Sequence, residues 1–384
     1  MEMRGGDLFV AAVALLAAHV NCQSSIVIAG GSASSTQSSA QVPSAACYTF
    51  DATENAGAGG YSQISSMSTA RMGHAVVAVP GFVFAISGRV GVCTVSASVC
   101  ALTQSVERLP IGSASAVWEA AADIPEARSY FGAAASASGG SVYVAGGDVG
   151  GVPLATTYMY DVALDAWSRV SDMSAARRDH VIAQVGDCVY AVGGRAGSFS
   201  SLSSVERYDP VSDNWSAMAS MSTARRLPSA GVHGSFLYIV GGLDSSQIFV
   251  NQGLVNTAER FDASTNTWQS IAPMPNPGMF IASIASLDGL LYQFGGASIG
   301  FNYPKDALLY DTEADAWTAL TQPPVTLAFH GVAAMWPLPS PSSPPPSEPP
   351  APNSPPPCHP PSLPPPPQAP PPCVPPSTPP SHPA

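Results

Sequence analysis

The sequence predicts an all-β fold of six repeats, built as a propeller or a solenoid, with a disordered polyproline tail behind it. Three observations predict this. A strand–turn–strand pattern, fullest in "SVERYDPVSDNW" (204–215), occurs six times. A short apolar run ending in glycine precedes each copy. The copies recur at roughly 50-residue intervals, a period that belongs to blades or solenoid turns and not to one layered core.

The elements follow in chain order. The apolar runs are "SIVIAGG", "FVFAISG", "VYVAGG", "VYAVGG", "LYIVGG" and "LYQFGG". They are rich in Val, Ile, Tyr and Phe, as buried strands are. The closing glycines (Gly146 and Gly147 in the third run) allow positive φ and close approach to a neighbour. Each run leads into a strand–turn–strand copy that ends on an aromatic: Tyr61, Trp118, Trp167, Trp215, Trp268 and Trp317. An indole at a repeating position suits the wedge between adjacent blades. Asp161, Asp209, Asp262 and Asp311 stand at the turns and read as turn formers.

Paired glycine after an apolar strand, then Tyr-Asp, then Trp six residues on, resembles the kelch repeat across residues 26–336. The resemblance implies a six-bladed β-propeller with four strands per repeat, here a to d, each repeat forming one blade. "SIVIAGG" is then a b strand without an a strand before it. "LAFHGVAAMW" (327–336) is an a strand without a b strand after it. The two are expected to share the first blade, which leaves no sheet edge exposed.

Residues 1–22 read as a signal peptide. The apolar stretch 8–20 is broken only by His19 and is shorter than the ~20 residues of a membrane span. An uncleaved anchor and a buried N-terminal segment are the alternatives. After cleavage no membrane span is expected. The propeller takes residues 23–338. The tail, 339–384, holds 25 of the 39 prolines and one formal side-chain charge, Glu348. It is expected to be an extended polyproline rod of up to ~140 Å. Its runs resemble the hydroxyproline-rich glycoproteins of plant and green-algal walls, extensins and pherophorins. That resemblance implies hydroxylation and O-glycosylation in a secreted chain; in the cytosol the same runs would be ligands for proline-recognising partners.

Cys93 and Cys100 are expected to form a local disulfide, as are Cys358 and Cys373 in the tail. Cys47 and Cys188 fall at Val-like strand positions and read as buried thiols. Asn214 in "NWS" is the glycosylation sequon. A net charge of −12 with a single lysine excludes a nucleic-acid binder.

In an antiparallel blade the d–a and b–c loops share one face. The d–a loops bring Arg71, Arg128, Arg177, Arg178, Arg225 and Arg226 there, and Arg89 and Arg195 follow from two b–c loops. Eight of fourteen basic residues thus gather on one rim. The long b–c loops add Phe249, Asn251, Phe301 and Tyr303. This is the expected ligand-binding face, for a protein or an anionic polysaccharide, since the guanidinium fork suits carboxylate, sulfate or phosphate. Arg71, Arg128, Arg177 and Arg225 recur at one offset and read equally as structural residues tying the repeat. The alternative to the non-enzymatic, secreted or wall-associated reading is an intracellular kelch adaptor, in ubiquitin-ligase substrate recognition or actin binding. A third reading, a copper radical oxidase of the galactose-oxidase type, would use His74, His180 and His330, but their periodic placement argues for a core role. No catalytic residue, metal site or cofactor is expected.

Overall fold

The computed structural model describes residues 25–334, apart from 31–39, 42, 53–58, 92, 95–100, 113–115, 198–199, 245–252, 276–281, 298–305 and 326–329. The expected tail and leader lie outside the described residues.

Blade 1 joins the two ends of the chain. Gly331–Ala334 is its a strand, Ser25–Ala29 its b strand, Cys47–Asp51 its c strand and Gly60–Ile64 its d strand. Ile26 pairs with Ala334 and Ala29 with Gly331, so the closure read from the two unmatched strands is present. The a strands of blades 2 to 6 are Ala75–Val79, Gly132–Ala135, Val181–Val185, Ser229–His233 and Ser283–Leu287. Each packs on the next around the axis, and the last packs on Gly331–Ala334.

The inner strands carry small residues where the ring is narrowest. A Cβ on Gly132 would meet Ile182 at 2.6 Å, and one on Gly331 would meet Val76 at 2.3 Å. The b strands lie between a and c and are covered on both faces. Cys188–Val192 is buried at every position, and Phe82–Ile86 at all but its first. That is why they read as unbroken apolar runs.

The core lies between blades. Val79, Phe84 and Ile86 of blade 2 meet Val142, Val144 and Tyr160 of blade 3. Phe50 of blade 1 meets Tyr292 and Phe294 of blade 6. Each indole also donates one hydrogen bond back to the preceding blade: Trp118 to Ser65 O, Trp167 to Ala122 O, Trp215 to Ser171 O, Trp268 to Ala219 O and Trp317 to Ala272 O, at 2.8–3.0 Å. Tyr61, which replaces the indole in blade 1, donates from its hydroxyl to Thr321 O at 3.1 Å, the same stitch across the closing junction.

The turn aspartates cap the c–d hairpins as expected. Asp161 accepts from the backbone of Ala163 and Leu164, Asp209 from Val211, Asp262 from Ser264, and Asp311 from Glu313 and Ala314. A second acid, not singled out in the sequence, holds the next blade contact. Asp165, Asp213 and Asp315 accept from Tyr160, Tyr208 and Tyr310 and from a backbone N–H of the preceding blade.

Cys47 is a buried free thiol, as expected, and burial pushes its pKa up to about 11. Cys188 is equally buried but disulfide-bonded, so the expectation of a free thiol fails there. The proposed Cys93–Cys100 bond falls outside the described residues. So does the proposed Cys358–Cys373 bond. Asn214 begins the exposed end of the d strand Asn214–Met218, where its side chain is open to solvent.

Closure makes a direct prediction. Truncation before Leu327 removes the a strand of blade 1, strips a sheet edge and should unfold or aggregate the protein. Truncation after Leu338 should leave the melting temperature unchanged. Equal melting temperatures for the two truncations in differential scanning calorimetry would contradict the closure.

Candidate ligand face at the channel mouth

The recurrent arginine stands at the head of a blade, just before its a strand. Arg71 heads blade 2, Arg128 blade 3, Arg177 blade 4 and Arg225 blade 5. None is on the surface: their exposures are 0–1%. Each guanidinium points inward and donates to carbonyls of its own b and c strands. Arg177 donates to Gly193 O (3.0 Å) and Ser204 O (3.2 Å), and Arg225 to Gly241 O (3.0 Å) and Thr257 O (2.8 Å). A carboxylate from the c strand completes the set. Arg71 meets Glu107 at 2.6 Å, Arg177 meets Glu206 at 2.6 Å and Arg225 meets Glu259 at 2.7 Å.

Blade 3 has Tyr158 in place of that glutamate. There Arg128 lies over the Tyr158 ring at 5.1 Å and takes its carboxylate from Glu126, two residues before it, at 2.7 Å. Burial raises the pKa of Glu107, Glu206 and Glu259. The serine and arginine hydrogen bonds outweigh that effect and hold each below the usual carboxylate value. The backbone of the same arginines works outward. Arg128 O, Arg177 O and Arg225 O accept from Gly88, Gly147 and Gly194 of the preceding blade at 2.9–3.0 Å. A side chain on Gly146 would strike Arg177 O at 2.5 Å and His180 at 2.6 Å, which is why the b strand ends in glycine.

These four arginines, expected on the binding face, are buried in the structure. Their Nη donors are used inside the blades.

The next residue along each loop stands at the mouth of the channel, where Arg178 keeps partial exposure and Met72, Ser129 and Arg226 are buried. Its backbone bridges the first residue after the glycine pair: Met72 with Arg89, Ser129 with Asp148, Arg178 with Arg195 and Arg226 with Leu243. These bridges confirm that the d–a and b–c loops share one face. One residue further in, a collar of hydrogen bonds crosses from blade to blade. Tyr130 N donates to Gly73 O, Asp179 N to Tyr130 O and Leu227 N to Asp179 O, at 2.6–3.0 Å. Tyr130, Asp179 and Leu227 hold φ of 54°, 57° and 51°. Left-handed backbone at a non-glycine residue costs on the order of 1–3 kcal/mol and is held only where its surroundings impose it.

Four arginines and two aspartates converge there. Arg178 meets Asp148 at 3.0 Å, and Arg195 Nε donates to Asp179 at 2.5 Å. Arg89 lies 4.5 Å over the Tyr130 ring, donates to Ser129 Oγ at 3.1 Å and comes within 3.7 Å of Asp148. Asp148 is wholly buried and also accepts from Ser129 Oγ and Gly151 N. Burial pushes Asp179 up to about 6, against the pull of Arg178 and Arg226. Arg226 is itself buried, which pulls its pKa down against the attraction of Asp179. Arg89, Arg178 and Arg195 keep side-chain exposures of 13–24%. Arg89, Arg178 and Arg195 thus stand beside Asp148 and Asp179, and Asp244, exposed in the b–c loop of blade 5, adds a negative charge to the same face.

Below the collar, all six inner strands line a channel cavity of about 190 Å³. His74, His180 and His330 stand in its wall, each on a different blade. Burial drives each pKa down to about 3, so all are neutral imidazoles. His74 donates from Nε2 to Ala29 O of the preceding blade at 3.1 Å, an inter-blade role like that of the indoles. Among the described residues no three His, Cys, Asp or Glu side chains gather as metal ligands. Phe249, Asn251, Phe301 and Tyr303 lie outside the described residues.

The sequence reading missed Asp148, Asp179 and Tyr130 at the mouth. It also missed the glutamate partners, which were visible as a pattern. Glu107, Glu206 and Glu259 share one repeat position, in "VER" or "AER", and occur in blades headed by arginine. Blades 1 and 6 lack that arginine and carry Tyr48 and Leu308 in the glutamate's place.

The KLHDC2/KLHL20/DRC7 Kelch-repeats domain matches residues 16–242, and the Kelch motif matches residues 224–275. Kelch-like protein 25 of Xenopus tropicalis is 29% identical over 219 residues, 56% of this chain and 28% of its own length. Kelch-like protein 15 of Danio rerio is 32% identical over 193 residues, 46% of this chain and 32% of its own length. The chain spans less than a third of the length of these curated relatives. Among solved structures, that of YjhT superposes with a TM-score of 0.57 at 15% identity, covering 70% of this chain and 89% of its own.

Two outcomes follow from the buried groups. Arg177→Ala leaves Glu206 buried without its cation and should cost about 3–5 kcal/mol of stability. Arg178→Ala, one residue on, should cost less, because Asp148 keeps Ser129 Oγ, Gly151 N and Arg89. Chemical denaturation of both variants checks this, and equal losses would contradict the division of roles. The second outcome concerns pH. The three histidines have folded pKa values below their unfolded value, so the unfolded chain binds more protons between pH 6.5 and about 3. Stability should be fully present above pH 6.5 and fall as pH drops. Asp179, raised to about 6, acts in the opposite sense but is one group against three. A denaturation midpoint that rises on acidification from pH 6.5 to 4 would contradict this.

Proposed function

Because the chain belongs to the Kelch-repeat family, we propose that it is a non-catalytic binding module whose channel mouth takes the anionic group of a partner protein. The carrying observation is the cluster of three partly exposed arginines at the mouth, set around a strained collar, in an otherwise acidic chain. Arg89, Arg178 and Arg195 offer the partner planar donors already held in place by Asp148, Asp179 and Tyr130, so little side-chain entropy remains to be lost. The similarity to Kelch-like proteins of two vertebrates favours a protein partner over an anionic polysaccharide.

We further propose that the module is secreted and displayed in a wall or matrix. The leader 1–22 and the proline-rich segment 339–384 support this. So does the direction of the chain. The b strand of blade 1 starts at Ser25, opposite Asp51 at the c–d end, and the a strand ends at Ala334, opposite Ile26. The described chain thus enters and leaves on the face opposite the mouth. A tether there leaves the mouth facing outward.

The test uses a fluorescein-labelled glutamate-rich peptide as probe, read by anisotropy on the full chain. Binding should weaken as salt rises from 0.1 to 1 M, since the Debye length shrinks from ~10 to ~3 Å. Arg178→Ala with Arg195→Ala should lower affinity at least about tenfold with an unchanged circular dichroism spectrum. Unchanged binding at low salt would contradict the mouth as the site. N-terminal sequencing of secreted protein checks the leader: a mature start at Gln23 is expected.

A further inference from the structure

The b–c loop of blade 3 forms a small hairpin beside the mouth. Asp148–Val149 pairs with Val152–Pro153 across Gly150 and Gly151, whose φ of 58° and 88° make a tight turn. Val149 and Val152 are directly opposite each other in this pairing. Both are exposed, at 39% and 65%, in a chain whose other valines mostly lie inside. A four-residue ribbon has no stability of its own. This one is fixed through Asp148, which accepts from Ser129 Oγ and Gly151 N at 2.8 Å and from Arg178 at 3.0 Å. The same carboxylate therefore orients an arginine of the mouth and anchors the valine pair. The two are adjacent: a Cβ on Gly151 would lie 4.0 Å from Nη1 of Arg178.

We propose that the mouth is bipartite and selects an acidic peptide segment in which an aliphatic side chain neighbours the carboxylate. The carboxylate enters against Arg178, Arg195 and Arg89, and the aliphatic side chain covers Val149 and Val152. This rests on the function proposed above and adds its specificity. Charge complementarity commits the site to a carboxylate, and the paired valines supply an apolar contact that a uniformly acidic chain or a sugar acid would leave uncovered. Leaving two branched side chains in water is a standing cost that an aliphatic partner relieves, at about 25 cal/mol per Å² removed from water.

The experiment displays a random peptide library to the full chain, then measures the enriched peptides by anisotropy. Peptides with Asp or Glu within two residues of Leu, Ile or Val should be enriched, and replacing that aliphatic residue by Ser should weaken binding about tenfold. Val149→Ser with Val152→Ser, both at exposed positions, should erase the preference for the aliphatic residue while keeping binding to acidic peptides. Arg178→Ala with Arg195→Ala should weaken both classes. Three results would overturn the proposal: enrichment of acidic peptides with no aliphatic preference, no change of preference in the valine variant, or no enriched peptide at all. If the arginine variant alone keeps full binding, the function proposed above fails instead.

Discussion

The buried arginine at the head of a blade is the contact on which the ring depends. Its guanidinium joins the b and c strands of its own blade and holds a c-strand glutamate, while its carbonyl receives the glycine N–H of the blade before. One residue thus fixes the inside of one blade and its junction with another. A buried ion pair is worth little over a well-packed apolar substitute, but it is costly to break halfway. Here the arginine also donates to carbonyls at the ends of strands, such as Ser204 O, which accepts from Gly193 N as well. Blades 1 and 6 dispense with it and rely on aromatic contacts such as Phe50 with Phe294 and on the Tyr61 bond.

That fixed junction is what allows the neighbouring position to be functional. With Arg177 locked, the loop must turn sharply before the a strand, and the turn falls on left-handed residues. Gly73 takes this conformation freely; Tyr130, Asp179 and Leu227 take it under constraint. The strain places their side chains around the channel axis, where Asp179 meets Arg195 and Tyr130 meets Arg89. Burial of the two aspartates strengthens their hold on the arginines, since the field there is poorly screened. The mouth is therefore a polar cluster braced from below by the same repeats that build the core.

The propeller, its six blades and its closure were legible in the sequence because each rests on a repeated residue type: Trp at the wedge, glycine at the close approach, an unmatched strand at each end. The face on which the loops gather was legible too, from strand direction alone. The roles of adjacent arginines were not. In "SAARRDH" both Arg177 and Arg178 belong to a basic loop, and only the direction of the side chain separates a residue with 1% exposure from one that reaches the mouth. Repetition held the clue: Arg177 recurs with a glutamate one strand away, whereas Arg178 aligns with Met72 and Ser129. Asp148 and Asp179 escaped notice because nothing repeats there, and a single acidic residue in a loop carries no periodic signal.

The central claim is that Arg177 is scaffold and Arg178 is surface chemistry. A double-mutant cycle measures it most directly, because it isolates the pair from the cost of truncation. In chemical denaturation, the Arg177–Glu206 pair should show a coupling energy of about 2–3 kcal/mol, since each single removal strands a buried partner and the double removal does not. The Arg178–Asp148 pair should show a smaller coupling, because Asp148 keeps Ser129 Oγ, Gly151 N and Arg89 when Arg178 is removed. A coupling of Arg177 with Glu206 no larger than that of Arg178 with Asp148 would contradict the account.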